Sequence, residues 1–533
     1  MIVNSSKNQI LKCLTLIFFC LSLILFSQEK KNLLFIITDQ QQYKALSIAG
    51  NKVLQTPNLD RLAKSGAYFK NAYTPMAVCG PARSAILTGM TVESTGVNNN
   101  DKTYFYNEEP VMTTLTFDEI LTKNGYHCEY YGKWHVMSNH SKIYRNPKKF
   151  SKNGKSIFEH GGQNHVYMDY INKHFPQQDL EDDEFYDTFT KRAYTPDPID
   201  SYYGYSWREA QKDEHNRRVQ PDLHGELNVP AEHSFTAFQA KEAMSAIKRL
   251  KDTTFSLTLS IHMPHAPMTP TKPYYGMYPA DDMVPPVSID DAMANSPYKH
   301  TNGRMELPEY HDPEKIKYMI SNYYGIINEI DDWMGEILKT LDENDLTDNT
   351  LIIFTSDHGE MLGAHGLREK NVFYEESSHI PLFISLPGEI KENTVVDGYI
   401  SNVDLFSTIL DYLNIDGNHD SDGTSLRDLI EEKDTDHGKY VVTEWDYRGP
   451  VSPNYMIVKD GWKLIIPYTK ESTVINAMYN LNEDPHEMNN LLGSNPERFN
   501  YKNEAEELRQ CLLEWLKENN STRYDGVKER ILI

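Results

Sequence analysis

Three runs of mostly apolar residues have the length of a β-strand, and polar residues follow each of them. The pattern is typical of strands buried on both faces of a parallel sheet. The runs span residues 32–38, 255–261 and 351–355. The polar residues that follow them are Asp39 and Gln40, His262 and His265, and Asp357 and His358. Ligands of open α/β sheets bind at the carboxyl ends of strands, so we expect the functional site at these residues.

Helical patterns alternate with these strands. Thr56 and Pro57 supply an N-cap and a first-turn proline for a helix that carries Leu59 and Leu62. Apolar residues recur every three or four positions over 315–342, which predicts a long amphipathic helix. This order of elements predicts an α/β fold with a mostly parallel sheet.

The last hundred residues have a different pattern. Polar and charged residues over 415–435 suggest a boundary. Three short strand-like runs and an amphipathic helix at 505–516 follow, which predicts a small C-terminal α+β domain. The runs are 440–443, 455–458 and 462–466. We therefore divide the chain into a main domain, 28–434, and a C-terminal subdomain, 435–533. Residues 140–230 lack periodicity and are interpreted as inserted loop.

The first 27 residues have the pattern of a cleaved signal peptide. Lys7 and Lys12 precede the apolar run 14–26, and the sequence turns polar after Gln28. A membrane span needs about 20 apolar residues, so this run is too short for one. We expect an exported protein, periplasmic or secreted, without a membrane span.

The composition is strongly acidic. The chain of 533 residues has 53 Lys and Arg against 77 Asp and Glu, a net charge of −24. Such a surface repels polyanions, so nucleic-acid binding is excluded as a main role. A small anion can still bind in a local positive pocket.

The sequence has five cysteines, and two of them lie in the predicted signal peptide. Cys79 is followed by a turn-forming Gly-Pro and by Arg83, a fixed cation that can lower the pKa of a thiol. On these residues alone, a buried structural cysteine is the better interpretation of Cys79.

The segment Cys-x-Pro-x-Arg followed by Leu-Thr-Gly resembles the signature of the formylglycine-dependent sulfatases of the alkaline-phosphatase-like superfamily. The resemblance covers nearly all of the mature chain, and its motifs occur in the order of the family. They are Asp39, Thr56 to Leu62 (TPNLDRL), Cys79 to Gly89, Gly132 to His135 (GKWH), Pro264 to Pro267 (PHAP), Asn349-Thr350 before Ser356 to Gly359 (SDHG), and Tyr479 to Leu481 before Asp484-Pro485.

The resemblance implies an alkaline-phosphatase-like sandwich, with a large mixed, mostly parallel sheet between helices and a small C-terminal α+β domain. It also implies that a modifying enzyme converts Cys79 to formylglycine, and that one calcium ion is bound. The implied metal ligands are Asp39, Gln40, Cys79, Asp357 and His358. Gln40 stands where the family usually has Asp and His358 where it usually has Asn, which leaves the identity of the metal open.

Catalytic roles follow from the same resemblance. The hydrated aldehyde at position 79 is the nucleophile, His265 the acid for the leaving oxygen, and His135 a candidate base for releasing the sulfate. Three cations complete the implied site by binding the sulfate or the diol: Arg83, Lys133 and Lys370. These residues would form the positive pocket that an acidic sulfatase needs for its substrate.

The expected function is hydrolysis of sulfate esters in a sulfated carbohydrate. A phosphodiester or phosphonate monoester hydrolase on the same scaffold is the first alternative. A non-catalytic glycan-binding relative is the second, and it predicts the loss of active-site residues that this sequence retains.

Overall fold

The computed structural model describes residues 30–100, 114–136, 164–174, 190–192, 224–298, 308–417, 419–433, 436–445, 452–469 and 472–533. The predicted signal peptide, 1–27, and most of the predicted loop at 140–230 lie outside these ranges. Within them, none of the helices combines the length and the apolar character that crossing a membrane requires.

The strands are numbered along the chain within the described residues. They are β1 Asn32–Asp39, β2 Ala67–Tyr73, β3 His127–Gly132, β4 Thr190–Arg192, β5 Gly225–Leu227, β6 Phe255–Pro264, β7 Thr350–Ser356, β8 Leu382–Ser385, β9 Thr394–Ser401, β10 Val441–Trp445, β11 Asn454–Lys459, β12 Trp462–Ile466 and β13 Ala477–Asn480.

The α-helices are numbered in the same way. They are α1 Pro57–Lys64, α2 Cys79–Thr88, α3 Val92–Thr95, α4 Phe117–Lys123, α5 Asn164–His174, α6 Phe235–Leu250, α7 Pro313–Asp342, α8 Glu375–Ser378, α9 Asp404–Tyr412, α10 Arg427–Ile430, α11 Lys502–Glu518 and α12 Tyr524–Glu529.

A seven-stranded sheet forms the centre of the molecule, with the order β3-β6-β1-β7-β8-β2-β9. Strand β8 runs antiparallel to its two neighbours, and the other pairs are parallel. The sheet is therefore mixed and mostly parallel, and the expected fold class is confirmed.

The central strand β1 is apolar throughout because both of its faces are covered. Leu34 and Ile36 pack in one hydrophobic core with residues of α1, α6 and α7. Leu33, Phe35 and Ile37 point to the opposite face and pack with residues of α2, α4 and α9. Alternate residues of a strand face opposite sides of its sheet, so both cores draw on one continuous apolar run.

The predicted strands and helices lie close to the observed ones. The long helix α7 begins at Pro313, two residues before the predicted start, because Asp312 caps it by accepting hydrogen bonds from the backbone N–H groups of Glu314 and Lys315. Strand β6 continues to Pro264, so that His262 lies within the strand rather than after it.

The C-terminal region is an antiparallel sheet, β10-β11-β12-β13, covered by α11. Tyr455 and Leu464 pack with Leu512 of that helix. Met456 and Ile465 point the other way and share a core with residues of the main body. This confirms a small α+β unit. The boundary between 434 and 435 falls outside the described residues and stays a prediction.

A buried lysine connects this sheet to the rest of the molecule. Lys463 of β12 is fully buried, and its Nζ donates to the backbone oxygen of Phe373 at 2.8 Å. The same nitrogen pairs with Glu375 and with Glu487, each at 2.8 Å. Burial raises the pKa of Glu487 to about 7, although Lys463 opposes this shift.

We predict that Lys463→Met destabilises the fold by about 3–5 kcal/mol, because it leaves buried carboxylates without their cation. Lys463 lowers the pKa of Glu487, so its removal raises that pKa further above the unfolded value, and the loss should grow as the pH rises from 6 to 8. Urea unfolding at both pH values measures it. Lys459→Met, which removes only a more exposed pair with Glu507, is the control. Equal effects of the two substitutions would contradict the prediction.

Candidate active site

Four adjacent parallel strands, β3, β6, β1 and β7, end at one edge of the sheet. The side chains that the sequence places at separate strand ends are thereby brought together. Taken strand by strand, they are Lys133 and His135, His262 and His265, Asp39 and Gln40, and Asp357 and His358.

Cys79 reaches this edge from the first residue of α2. Every residue of that helix is buried, and the preceding Val78 is extended. The Cys79 thiol lies 3.0 Å from Nε2 of His358 and 3.8 Å from Oδ1 of Asp39. A helix N-terminus carries partial positive charge, so the helix favours an anion at position 79.

Four buried side chains form a cluster with the composition of a metal site. The ligand atoms of Asp39, Cys79, Asp357 and His358 all lie within 4.8 Å of one another. Two carboxylates buried at this separation repel each other, and a cation between them would remove the cost. The pKa values of Asp357 and Asp39 shift in opposite directions. Burial raises the pKa of Asp357, whereas that of Asp39 lies well below its ordinary value because nearby cations, Lys133 foremost, outweigh its burial.

The histidine of the cluster is oriented as a metal ligand. Nδ1 of His358 lies 2.9 Å from the backbone oxygen of Gly359, which can only accept a hydrogen bond. Nδ1 therefore carries a proton, and Nε2 faces the thiol and the carboxylates. Although burial lowers the pKa of His358, Asp357 and Cys79 raise it, so a bound cation would take the place of a proton on Nε2. Two carboxylates and an unprotonated imidazole nitrogen fit a divalent cation.

Arg83 connects three strand ends. Its Nε donates to Oδ2 of Asp357 at 2.7 Å, and one terminal nitrogen donates to Oγ of Ser260 at 2.7 Å and to the backbone oxygen of Lys133 at 3.1 Å. The Lys133 ammonium pairs with Oδ2 of Asp39. Each carboxylate of the cluster is thus paired with its own buried cation.

Lys370 contacts Gln40, the residue that follows β1. The Lys370 ammonium donates to Oε1 of Gln40 at 2.5 Å. Lys370 and Lys133 also act on the thiol. Although burial alone would raise the pKa of Cys79, the two ammonium groups lower it to about 5.

The two candidate proton-transfer histidines lie on neighbouring segments. Nδ1 of His265 donates to the backbone oxygen of Ala266 at 2.7 Å, and its ring centroid lies 5.3 Å from that of His262. Burial and the positive charge of Lys370 hold the pKa of His265 well below its ordinary value. His135 is buried two residues after Lys133, in the left-handed region at φ 50°.

Sequence reasoning missed two residues that contact this group. Ser260 places a hydroxyl group in the mostly apolar strand β6, where it accepts a hydrogen bond from Arg83. This polar residue in an apolar run was the sequence signal that could have identified it. Glu360 immediately follows the Ser356 to Gly359 segment, and its carboxylate accepts a hydrogen bond from Nε2 of Gln40. The sequence around Glu360 contains no motif or periodicity that would predict its contact with Gln40.

Comparisons with known proteins agree with this arrangement. The family model described as sulfatase matches residues 31–415. A second model, described as the C-terminal part of N-sulphoglucosamine sulphohydrolase, matches residues 363–518. Together they span both the main sheet and the C-terminal sheet.

Relatives match over most of their length. The chain is 29% identical to an arylsulfatase of Clostridium perfringens, with 94% of this chain and 97% of the relative covered. It is 27% identical to an N-acetylglucosamine-6-O-sulfatase of Bacteroides thetaiotaomicron, with 95% and 89% covered.

Solved structures share the architecture. A phosphonate monoester hydrolase from Silicibacter pomeroyi superposes with a TM-score of 0.68 at 21% identity, with 93% of this chain and 96% of that chain covered. At this identity the likeness concerns the fold alone. The family match extends over more than half of the chain, and Asp39, Cys79, Asp357 and His358 meet at one site. The chain therefore belongs to the sulfatase family and is a sulfuric ester hydrolase.

Proposed function

We propose that this protein is an exported sulfatase that hydrolyses sulfate esters of a sulfated carbohydrate, using a formylglycine made from Cys79 and one calcium ion. The observation that carries the proposal is the position of Cys79. Its sulfur lies at a helix N-terminus, against the Asp39, Asp357 and His358 cluster and within the field of two lysines. A nucleophile at this atom would meet a sulfate held by positive charge.

The cation would be held by Asp39, Asp357 and His358, with the oxygen of Gln40 and the oxidised side chain at position 79 completing the set. Oxygen-rich ligation favours calcium. When bound, the ion supplies positive charge to sulfate oxygens and makes the hydroxyl at position 79 easier to deprotonate. The other steps belong to side chains of this chain.

In the first step, a hydroxyl of the hydrated aldehyde attacks sulfur. An oxygen–sulfur bond would form at position 79 as the attacking hydroxyl gives up its proton to water, the ester sulfur–oxygen bond would break, and the departing oxygen would take a proton from His265. The pKa of His265 is low in the free site because of its burial and of Lys370. A bound sulfate offsets that positive charge, so that substrate binding favours the protonated acid.

In the second step, His135 removes the proton of the remaining hydroxyl. The carbonyl at position 79 re-forms as its bond to the sulfate oxygen breaks, and sulfate leaves. Arg83, Lys133 and Lys370 neutralise the sulfate through charge-assisted hydrogen bonds. Once a cation balances the carboxylates, these three side chains are available to the substrate.

The carbohydrate substrate is supported by two features. One of the relatives described above is an N-acetylglucosamine-6-O-sulfatase. The net charge of −24 disfavours adhesion to polyanions, yet the cationic pocket accepts a single sulfate. The signal-like segment 1–27 supports the proposed export, to the periplasm or the medium. A modifying enzyme must supply the aldehyde.

We predict that turnover follows the conversion of Cys79. Peptide mass spectrometry should find the aldehyde at position 79 in active protein, and activity on an aryl sulfate should scale with the converted fraction. Cys79→Ala should abolish turnover and keep the melting temperature near that of the wild type. Cys511→Ala, at a half-buried cysteine in α11, is the control and should remain active. Full activity with an unmodified thiol at position 79 would refute the mechanism.

We also predict that the converted enzyme prefers sulfate esters. The value of kcat/KM on an aryl sulfate should exceed the values on a phenylphosphonate monoester and on a phosphate diester. Screening defined sulfated oligosaccharides then identifies the sugar and the sulfated position. A higher kcat/KM on the phosphonate would favour the alternative activity on this scaffold.

A further inference from the structure

We propose that Glu360 is a positioning residue, which orients the amide of Gln40 so that its oxygen, and not its nitrogen, is the atom available to a cation held by the neighbouring cluster. Glu360 is fully buried three residues after Asp357. One of its carboxylate oxygens accepts a hydrogen bond from Nε2 of Gln40. At the other end of the same amide, Oε1 accepts from the ammonium of Lys370 at 2.5 Å.

The chemistry of the two neighbours allows one orientation of the amide. A carboxylate can only accept hydrogen bonds, and an ammonium group can only donate them. If the amide were reversed, the nitrogen of Gln40 would face Lys370 and its oxygen would face Glu360. Both hydrogen bonds would be lost inside a buried site, where leaving a polar group unpaired is unfavourable.

Glu360 also fixes the backbone of the segment that carries Lys370. Its second oxygen accepts from the N–H of Leu362 at 3.0 Å and from the N–H of Glu369 at 2.6 Å. Both residues are in the left-handed region, with φ of 45° and 60°. Non-glycine residues persist in that region where their surroundings hold them, and Glu360 supplies two of the bonds that do so.

This arrangement accounts for the glutamine at position 40. A carboxylate there would lie against the buried carboxylate of Glu360 and would have no proton to donate. An amide supplies the N–H that Glu360 needs, and it still presents an oxygen to a hard cation. The inference deepens the proposed function and rests on it, because it assigns how one ligand of the proposed calcium site is oriented.

The first test is Glu360→Gln. The new amide can still accept the two backbone N–H groups of the segment through its oxygen, so its nitrogen faces the nitrogen of Gln40. Gln40 must then turn its oxygen away from Lys370 and from the cation site. We expect calcium affinity, measured by calorimetric titration of the metal-free protein, to fall by about 10- to 100-fold, the usual effect of losing such a supporting contact.

The decisive variant exchanges the two groups, Gln40→Glu together with Glu360→Gln. It has the same residue at position 360 as the single variant and the same net charge as the wild type. Its amide at 360 donates to one oxygen of the new carboxylate, and the other oxygen faces Lys370. Calcium affinity should return toward the wild-type value. Glu369→Gln, which removes a nearby partly exposed carboxylate paired with Arg368, is the control and should keep wild-type affinity.

Unchanged calcium affinity in Glu360→Gln would overturn the proposal. An exchange variant that binds no better than the single variant would also overturn it, because the loss would then come from the segment and not from Gln40. A wild-type protein that binds no calcium would contradict the proposed function. Crystal structures of the wild type and of Glu360→Gln would still show whether the Gln40 amide reverses.

Should these variants fail to fold, the pairing can be tested by aligning sequences of the sulfatase family and comparing the residues that correspond to positions 40 and 360. Relatives with a glutamine at position 40 should have an acidic residue at position 360, and relatives with Asp at 40 should lack one. A family in which Asp at 40 accompanies Glu at 360 as often as glutamine does would overturn the proposal.

Discussion

The proximity of two buried carboxylates, Asp39 and Asp357, is the constraint on which the rest of the site depends. Asp39 is the last residue of β1 and Asp357 follows β7, and these two strands are adjacent and parallel, so the fold forces the carboxylates together. Such a pair is stable only beside compensating charge. Lys133 and Arg83 supply that charge, and both are buried for this purpose.

This compensation connects the fold to the chemistry. Arg83 also donates to the hydroxyl of Ser260 in β6 and to the backbone oxygen of Lys133, which follows β3. These bonds keep its charge at the site even when a cation compensates Asp357. In the proposed holoenzyme a calcium ion balances the carboxylates, and the buried cations are left to neutralise sulfate. Under the proposed function, the same side chains compensate the two carboxylates and would bind the sulfate of the substrate, which would explain how an acidic protein handles a sulfated ligand.

The sequence predicted those parts of the structure that depend on local patterns. The apolar runs identified β1, β6 and β7, the periodicity identified α7, and the polar residues after the strands identified most of the site. The antiparallel insertion of β8 was not predictable, because strand order depends on pairings between distant segments. Glu360 and Lys463 were missed for the same reason, whereas Ser260 was missed although its hydroxyl interrupts an apolar run. Their partners are distant or unpatterned in sequence, and only the folded chain shows which polar groups meet.

A crystal structure of the mature protein grown with calcium is the most direct test of the central claim. The account predicts a cation bonded to both carboxylates, to Nε2 of His358 and to Oε1 of Gln40, with the side chain at position 79 present as a hydrated aldehyde. A structure in which Lys133 and Arg83 alone balance Asp39 and Asp357, with an unmodified thiol and no cation between the carboxylates, would contradict it.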